Sequence, residues 1–115
     1  MYDKNNVFSK IIRGDIPSKK VYEDDKVLAF YDIAPAAPIH VLVIPKGEYQ
    51  NFNEFAGKAS GEEVKYFFSK VSEIAEKLAT ESNYRLITNI GSDAGQSVFH
   101  FHVHIIGGKK LEGLI

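Results

Sequence analysis

One segment limits the architecture more than any other: from Ser60 the chain carries its only long helical pattern. Val64, Phe67, Phe68, Val71, Ile74, Ala75 and Leu78 recur at helical spacing, and Lys65, Lys70, Glu73, Glu76 and Lys77 fill the opposite side. Ser60 followed by Glu63 reads as a capping box, each residue satisfying an orphan donor at the helix start. A single apolar stripe with no second long helix to pack on needs a sheet to cover.

The remaining segments are strand-sized. "KKVYE" and "KVLAFYD" are rich in β-formers and are joined by the acidic turn Asp24-Asp25. "IAPAAPI" can continue neither helix nor strand, because each proline fixes φ and removes a donor. It reads as a rigid crossing loop into "HVLVIPKG", a third strand ending at Pro45. "YRLITN" and "VFHFHVHIIG" are two more strands, connected through the glycine-bearing loop "IGSDAGQS". Near the start, Val7, Phe8, Ile11 and Ile12 fall on one face of a short helix stopped by Gly14 and Pro17. The expected fold is α+β: a five-stranded, mainly antiparallel sheet with one long helix and a short N-terminal one. With 115 residues the chain has the size of one domain, read as 1–115 with 1–5 frayed and the tail 109–115 peripheral.

Composition removes several classes of function. The absence of cysteine eliminates disulfides, thiolate nucleophiles and Cys-based zinc sites together. A formal charge of -1, from 14 basic and 15 acidic residues, gives no long-range pull toward nucleic acid or an anionic membrane. A compact phosphate can still be held by local backbone N–H groups. Apolar runs such as "VLVIP" are too short to cross a bilayer, and "MYDKNNVFSK" lacks the apolar core of a secretory signal. The expectation is a cytoplasmic enzyme or binding module, with neither nucleic acid nor membrane as partner.

The chemistry concentrates in "SVFHFHVHIIGG", which holds His100, His102 and His104, three of the four histidines. On a strand these three share one face, while Phe101, Val103 and Ile105 take the other and pack beneath the helix. If the third strand neighbours the last, His40 joins them. One reading is a polar outer face. A second is zinc, held by three imidazoles with an open position or closed by a fourth. Against zinc, no acidic residue between Gly95 and Gly108 is present to orient the rings. The third is covalent catalysis on phosphorus: a neutral imidazole attacks, and its neighbours, if protonated, offset charge on the phosphate oxygens. The loop ahead of the row suits that use, since the small residues of "GSDAGQS" let backbone N–H groups approach a phosphate and Ser97 can donate to a bridging atom.

"HFHVHII" resembles the His-x-His-x-His-x-x signature of the histidine triad (HIT) family. "NIGSDAGQSVFHFHVHIIGG" and "FSKIIRGDIPSKKVYEDDKVLAFYDIAPAAPIHVLVIPK" resemble its histidine-triad nucleotide-binding branch, so that the similarity runs over about residues 6–108. The resemblance implies a HIT-like fold, a homodimer, and binding of a purine nucleotide such as AMP or GMP. It implies hydrolysis of nucleoside 5′-phosphoramidates or acyl-adenylates to a nucleoside monophosphate through a nucleotidyl-histidine intermediate. That is an adenosine 5′-monophosphoramidase-like action on P–N bonds with no cofactor or metal.

Carried over by position, His102 is the nucleophile and His104 contacts the phosphate and the leaving group. His40 completes the site from strand three and His100 supports it. Asn89, Gln96, Ser97 and the loop backbone lie on the phosphate side. Asp32 accepts from the ribose hydroxyls, and Val7, Phe8, Ile11, Phe30 and Ile33 wall the base. A dinucleoside polyphosphate hydrolase, and a nucleotide-binding or partner-docking module with incidental turnover, are the alternatives. Two departures from relatives stand out. Asn6, Ser9 and Glu48 occupy positions where some carry the Cys-x-x-Cys pair and histidine of a structural zinc site. The tail "KKLEGLI" is short and has no aromatic residue.

Overall fold

Five strands form one sheet in the computed structural model, which describes residues 1–78 and 83–113. In chain order the elements are α1 (Val7–Arg13), β1 (Lys20–Glu23), β2 (Val27–Tyr31), β3 (Ile39–Pro45), α2 (Phe52–Lys58), α3 (Gly61–Leu78), β4 (Tyr84–Ile87) and β5 (Val103–Gly107). The spatial order is β1-β2-β3-β5-β4, and every pairing is antiparallel. The expected α+β architecture is therefore observed.

Alternation along the central strands explains the layering. Val27, Ala29, Val41, Val43, Val103 and Ile105 point to one face and bury against Phe67, Val71, Ile74 and Ala75 of α3. Leu28, Phe30, Leu42 and Ile44 point to the other face, where Phe8 and Ile11 of α1 cover them. Both faces are thus closed, although α1 is too short to cover all of its side. α1 starts where the Asn6 side chain accepts from the Ser9 N–H at 2.9 Å. It stops at Gly14, whose φ of 82° only glycine adopts readily.

Four details differ from the sequence expectation. A short helix, α2, follows β3; Asn51 caps it by accepting from the Glu54 N–H, and fully buried Phe55 stacks on Phe101 at 4.8 Å. The capping box at α3 is only half formed. Ser60 Oγ accepts from the Glu63 N–H at 3.1 Å, but the Glu63 carboxylate instead accepts from the Tyr49 hydroxyl at 2.9 Å. The last strand begins at Val103, so His100 and His102 precede it. There the backbone ladder gives way to other bonds: the Pro45 carbonyl accepts from the His100 ring, and the Phe101 N–H donates to Tyr49 O.

Finally, the N-terminal residues, expected to fray, carry hydrogen bonds: Arg13 donates to Lys4 O at 2.7 Å and Asn6 Nδ2 to Asp3 O at 2.7 Å. The end of the tail, residues 114–115, lies outside the described residues. Among the described residues no helix is long and apolar enough to cross a membrane.

Candidate active site

The part of the sheet that α1 leaves uncovered is a cleft of about 470 Å³. It is largely apolar because α1 and β2 project Val7, Phe8, Ile11 and Phe30 into it, with Leu42 of β3 at its floor. Asp32 and Ile33, just beyond β2, line one end, and Ser97, His102 and His104 line the polar side. Nine of the residues singled out from sequence therefore meet around one concavity: Val7, Phe8, Ile11, Phe30, Asp32, Ile33, Ser97, His102 and His104. Ile33 is fully exposed, so it forms a rim and not an enclosed wall.

Register brings the imidazoles together. His104 lies opposite Leu42 in the β3–β5 pairing, and His40 lies two residues before Leu42 on the same face. The His40 Nε2 to His104 Nδ1 distance is 2.9 Å, and Asp32 Oδ2 lies 3.4 Å from His40 Nε2. Although His102 precedes the strand, its ring stays on the face of His104, with ring centroids 5.1 Å apart. Phe8 packs edge-on against His102 at 4.9 Å.

Hydrogen-bond directions assign the ring protons. The Ala36 N–H donates to His40 Nδ1 at 2.9 Å, so the His40 proton sits on Nε2 and is donated to His104 Nδ1. His104 therefore carries its own proton on Nε2. His102 Nδ1 lies 2.7 Å from the His100 carbonyl oxygen, which can only accept. Hence Nδ1 holds the His102 proton, and Nε2 keeps a free lone pair. Thr88 Oγ1 donates to the His102 carbonyl at 2.8 Å and so anchors the same residue through its backbone.

Burial lowers the proton affinity of three of these rings. His104 is depressed to about 4, by burial first and then by the neighbouring His102 and His40. His100 is likewise depressed to about 4, mainly by burial, and burial also lowers His102. At neutral pH the three rings are uncharged. His102 thus keeps a free lone pair on Nε2, and His104 carries an N–H on Nε2 where positive charge was considered from sequence.

Asp32, His40 and His104 offer ligand atoms within 4.8 Å of one another, a spacing that could also hold a metal ion. Ligation through His40 Nε2 would move its proton to Nδ1, against the Ala36 N–H at 2.9 Å. Two donors would then face each other, so the cluster is built as a hydrogen-bonded array.

Four sequence candidates stand outside the cleft lining. His40 hydrogen-bonds to His104 and borders an adjoining concavity of about 450 Å³ that shares Lys19, Tyr31, Asp32 and Ile33. His100 is wholly buried behind His102, with Nε2 donating to Pro45 O at 2.7 Å. Gln96 is buried, and its amide is already engaged within the fold: Oε1 accepts from Gly91 N, and Nε2 donates to Gln50 O. Asn89 sits under Gly95, its amide nitrogen 3.7 Å from where a Cβ would project. The loop backbone is committed as well, since the N–H groups of Gly91, Ala94, Gly95 and Gln96 all bond within it. Ser97 remains the loop's polar side chain at the cleft.

The sequence reading overlooked Leu42, Val98, Thr88 and Tyr2. Leu42 was discoverable, being two residues from His40 on an alternating strand. Thr88 and Tyr2 act through non-local hydrogen bonds and left no local signal.

A family model described as the HIT domain matches residues 13–111. An uncharacterized HIT-like protein of Rickettsia prowazekii (strain Madrid E) is 56% identical over 116 residues, covering 100% of this chain and 97% of that protein. Among solved structures, a HIT family hydrolase from Clostridium thermocellum superposes with a TM-score of 0.88 at 43% identity, covering 98% of each chain. A hypothetical histidine triad nucleotide-binding protein from Sulfolobus tokodaii strain7 superposes with a TM-score of 0.76 at 34% identity, over 90% of this chain and 68% of that one.

Proposed function

The chain belongs to the HIT domain family, and on that premise we propose that it is a hydrolase for nucleotides carrying a leaving group on the α-phosphate. The substrates are nucleoside 5′-phosphoramidates or acyl-adenylates of a purine nucleoside, the product is the nucleoside monophosphate, and His102 is the nucleophile. The observation that carries the reading is the His102 Nδ1–H bond to the His100 carbonyl, 2.7 Å, beside an apolar cleft sized for a nucleoside. That bond leaves Nε2 as the basic nitrogen on a ring that burial keeps neutral.

In the first step the Nε2 lone pair attacks the α-phosphorus and the bond to the leaving amine or acyl oxygen breaks. The electron pair goes to that atom, and an amine is protonated from water. The Ser97 hydroxyl and His104 Nε2–H donate to the oxygens and leaving atom as charge develops. In the second step water attacks phosphorus and gives up a proton to solvent, while the electron pair of the breaking P–Nε2 bond returns to Nε2 and leaves His102 neutral. Asp32 accepts from the ribose, and Val7, Phe8, Ile11, Phe30 and Ile33 hold the base. His40 sets the His104 tautomer, and Asn89 and Gln96 shape the loop that presents Ser97.

A homodimer belongs to the same proposal; exposed apolar residues such as Phe52, Phe68 and Leu86 support it, and a sedimentation measurement tests it. The adjoining concavity of about 450 Å³ gives room for a bulky leaving group and favours a second reading, a dinucleoside polyphosphate hydrolase. Parallel rates on an adenosine phosphoramidate and on diadenosine tetraphosphate separate the two. The primary test is His102→Ala. Turnover of an adenosine 5′-phosphoramidate is expected to fall by about 10⁴-fold or more while AMP still binds. Retained turnover in that variant refutes the nucleophile assignment.

A further inference from the structure

We propose that Tyr2 is a positioning residue for the nucleophile: its hydroxyl clamps the His100 ring, and through it the carbonyl that orients His102. The proposal rests on the reading of His102 as nucleophile. Tyr2 precedes the matched HIT region, residues 13–111, so the family model does not reach it.

The proton assignments leave one consistent direction. His100 is fully buried, and its Nε2 faces the Pro45 carbonyl at 2.7 Å, so Nε2–H must be the donor. His100 Nδ1 is then an acceptor, and the Tyr2 hydroxyl hydrogen-bonded to it is the donor. Tyr2, having given its only proton, accepts from the Ser9 hydroxyl, and Ser9 in turn accepts from Asn6 Nδ2 at 3.1 Å. Donation runs unbroken from Asn6 through Ser9, Tyr2 and His100 to Pro45. Each link is satisfied, as buried polar groups require.

This chain reaches the chemistry through one peptide unit. The His100 carbonyl accepts from His102 Nδ1–H, and the N–H of the same unit, on Phe101, donates to Tyr49 O at 2.7 Å. Tyr49 holds one side of that unit. The His100 ring, pinned at both nitrogens, holds the other. The Tyr2 ring also meets His100 edge-on, with centroids 5.6 Å apart, so ring packing alone would survive loss of the hydroxyl. Without the hydroxyl, Nδ1 loses its donor in a site with no water exposure, and His100 is free to rotate or exchange its proton between nitrogens. The carbonyl then shifts, and His102 spends part of its time in the tautomer whose Nε2 carries hydrogen and cannot attack.

The experiment is Tyr2→Phe, which removes only the oxygen. Expected are a kcat on an adenosine 5′-phosphoramidate lowered about 10-fold with KM within about twofold, and a loss of the Nδ1–H form of His102 in the imidazole ¹⁵N spectrum. Unchanged kcat, or lowered kcat with an unaltered His102 spectrum, overturns the proposal. Ser9→Ala, which leaves the Tyr2 hydroxyl but removes its own donor, is expected to shift the same signals less. The wild-type spectrum decides the matter even if neither variant folds, because a His100 proton found on Nδ1 contradicts the donor chain outright. His102→Ala, measured alongside, reports on the nucleophile separately: turnover retained there defeats that reading, while the ring spectra still judge Tyr2.

Discussion

Acid should weaken this fold through two of its buried histidines. His100 and His104 have folded proton affinities near 4, below the ordinary imidazole value of 6.5, because burial disfavours their charged forms. As pH falls, the unfolded chain takes up protons first. The contribution of these rings is complete above about pH 6.5 and is lost progressively as pH drops toward about 4. At about pH 5 an unfolded imidazole is almost fully protonated, whereas one depressed to about 4 is about one-tenth protonated. The difference from about pH 7.5 comes to about 2 kcal/mol per histidine, or about 4 kcal/mol for both taken independently. Against a typical total of about 5–15 kcal/mol, that is a large share.

Urea unfolding at fixed protein concentration is the assay. With a slope of about 2 kcal/mol per molar, the midpoint should fall by about 2 M between those two pH values. Asp24 does not contaminate the window. Burial works against its charged form, but hydroxyls of Tyr22 and Tyr66 and the N–H groups of Lys26 and Val27 outweigh it. They hold the carboxyl well below its usual range, so its contribution is lost only at lower pH. A midpoint that stays constant from about pH 7.5 to 5, or a His100 ring titrating near 6.5 in the folded protein, refutes the reasoning.

Two further substitutions separate the site from the scaffold. Asp32→Asn is expected to weaken binding of a ribonucleotide by about 10-fold or more, the worth of a charge-assisted hydrogen bond, and to leave a 2′,3′-dideoxy analogue almost unaffected in a competition assay. Equal losses for both analogues would remove Asp32 from ribose recognition. Phe55→Ala should cost about 3–5 kcal/mol in denaturant unfolding, because the ring is wholly buried against Phe67 and Phe101. Since it lies on the sheet face away from the cleft, kcat per folded molecule should not change.

Much of the fold and part of the candidate site could be read from residue order because both depend on short periods. Val41 and Val43 alternate with Leu42 and Ile44, so the two cores and the sheet between them follow from period-two patterning. The same period carries His102 and His104 to one face even though the strand starts only at Val103. Its bounds were illegible because they depend on Pro45 O bonding to a side chain in place of a backbone N–H. α2 was illegible for a different reason: "FNEFAGK" buries one residue, Phe55, and one apolar position makes no stripe.

Gln96 shows the limit most sharply. Its residue type suits a phosphate contact and its place beside Ser97 invites one, yet its amide bonds to Gly91 and to Gln50, which is 46 residues away. What decides the chemistry proposed here is finer still, namely which nitrogen of each imidazole carries hydrogen. Ala36, His100 and Pro45 settle that through their backbone groups, and Tyr2 settles it with a hydroxyl from across the fold. Three of those four partners act through backbone atoms, carbonyls common to all residues and an N–H that only proline lacks, so their side chains do not announce them. The fourth does depend on its side chain, which is why a single oxygen at Tyr2 is where the coupling of the N-terminal segment to the nucleophile can be cut.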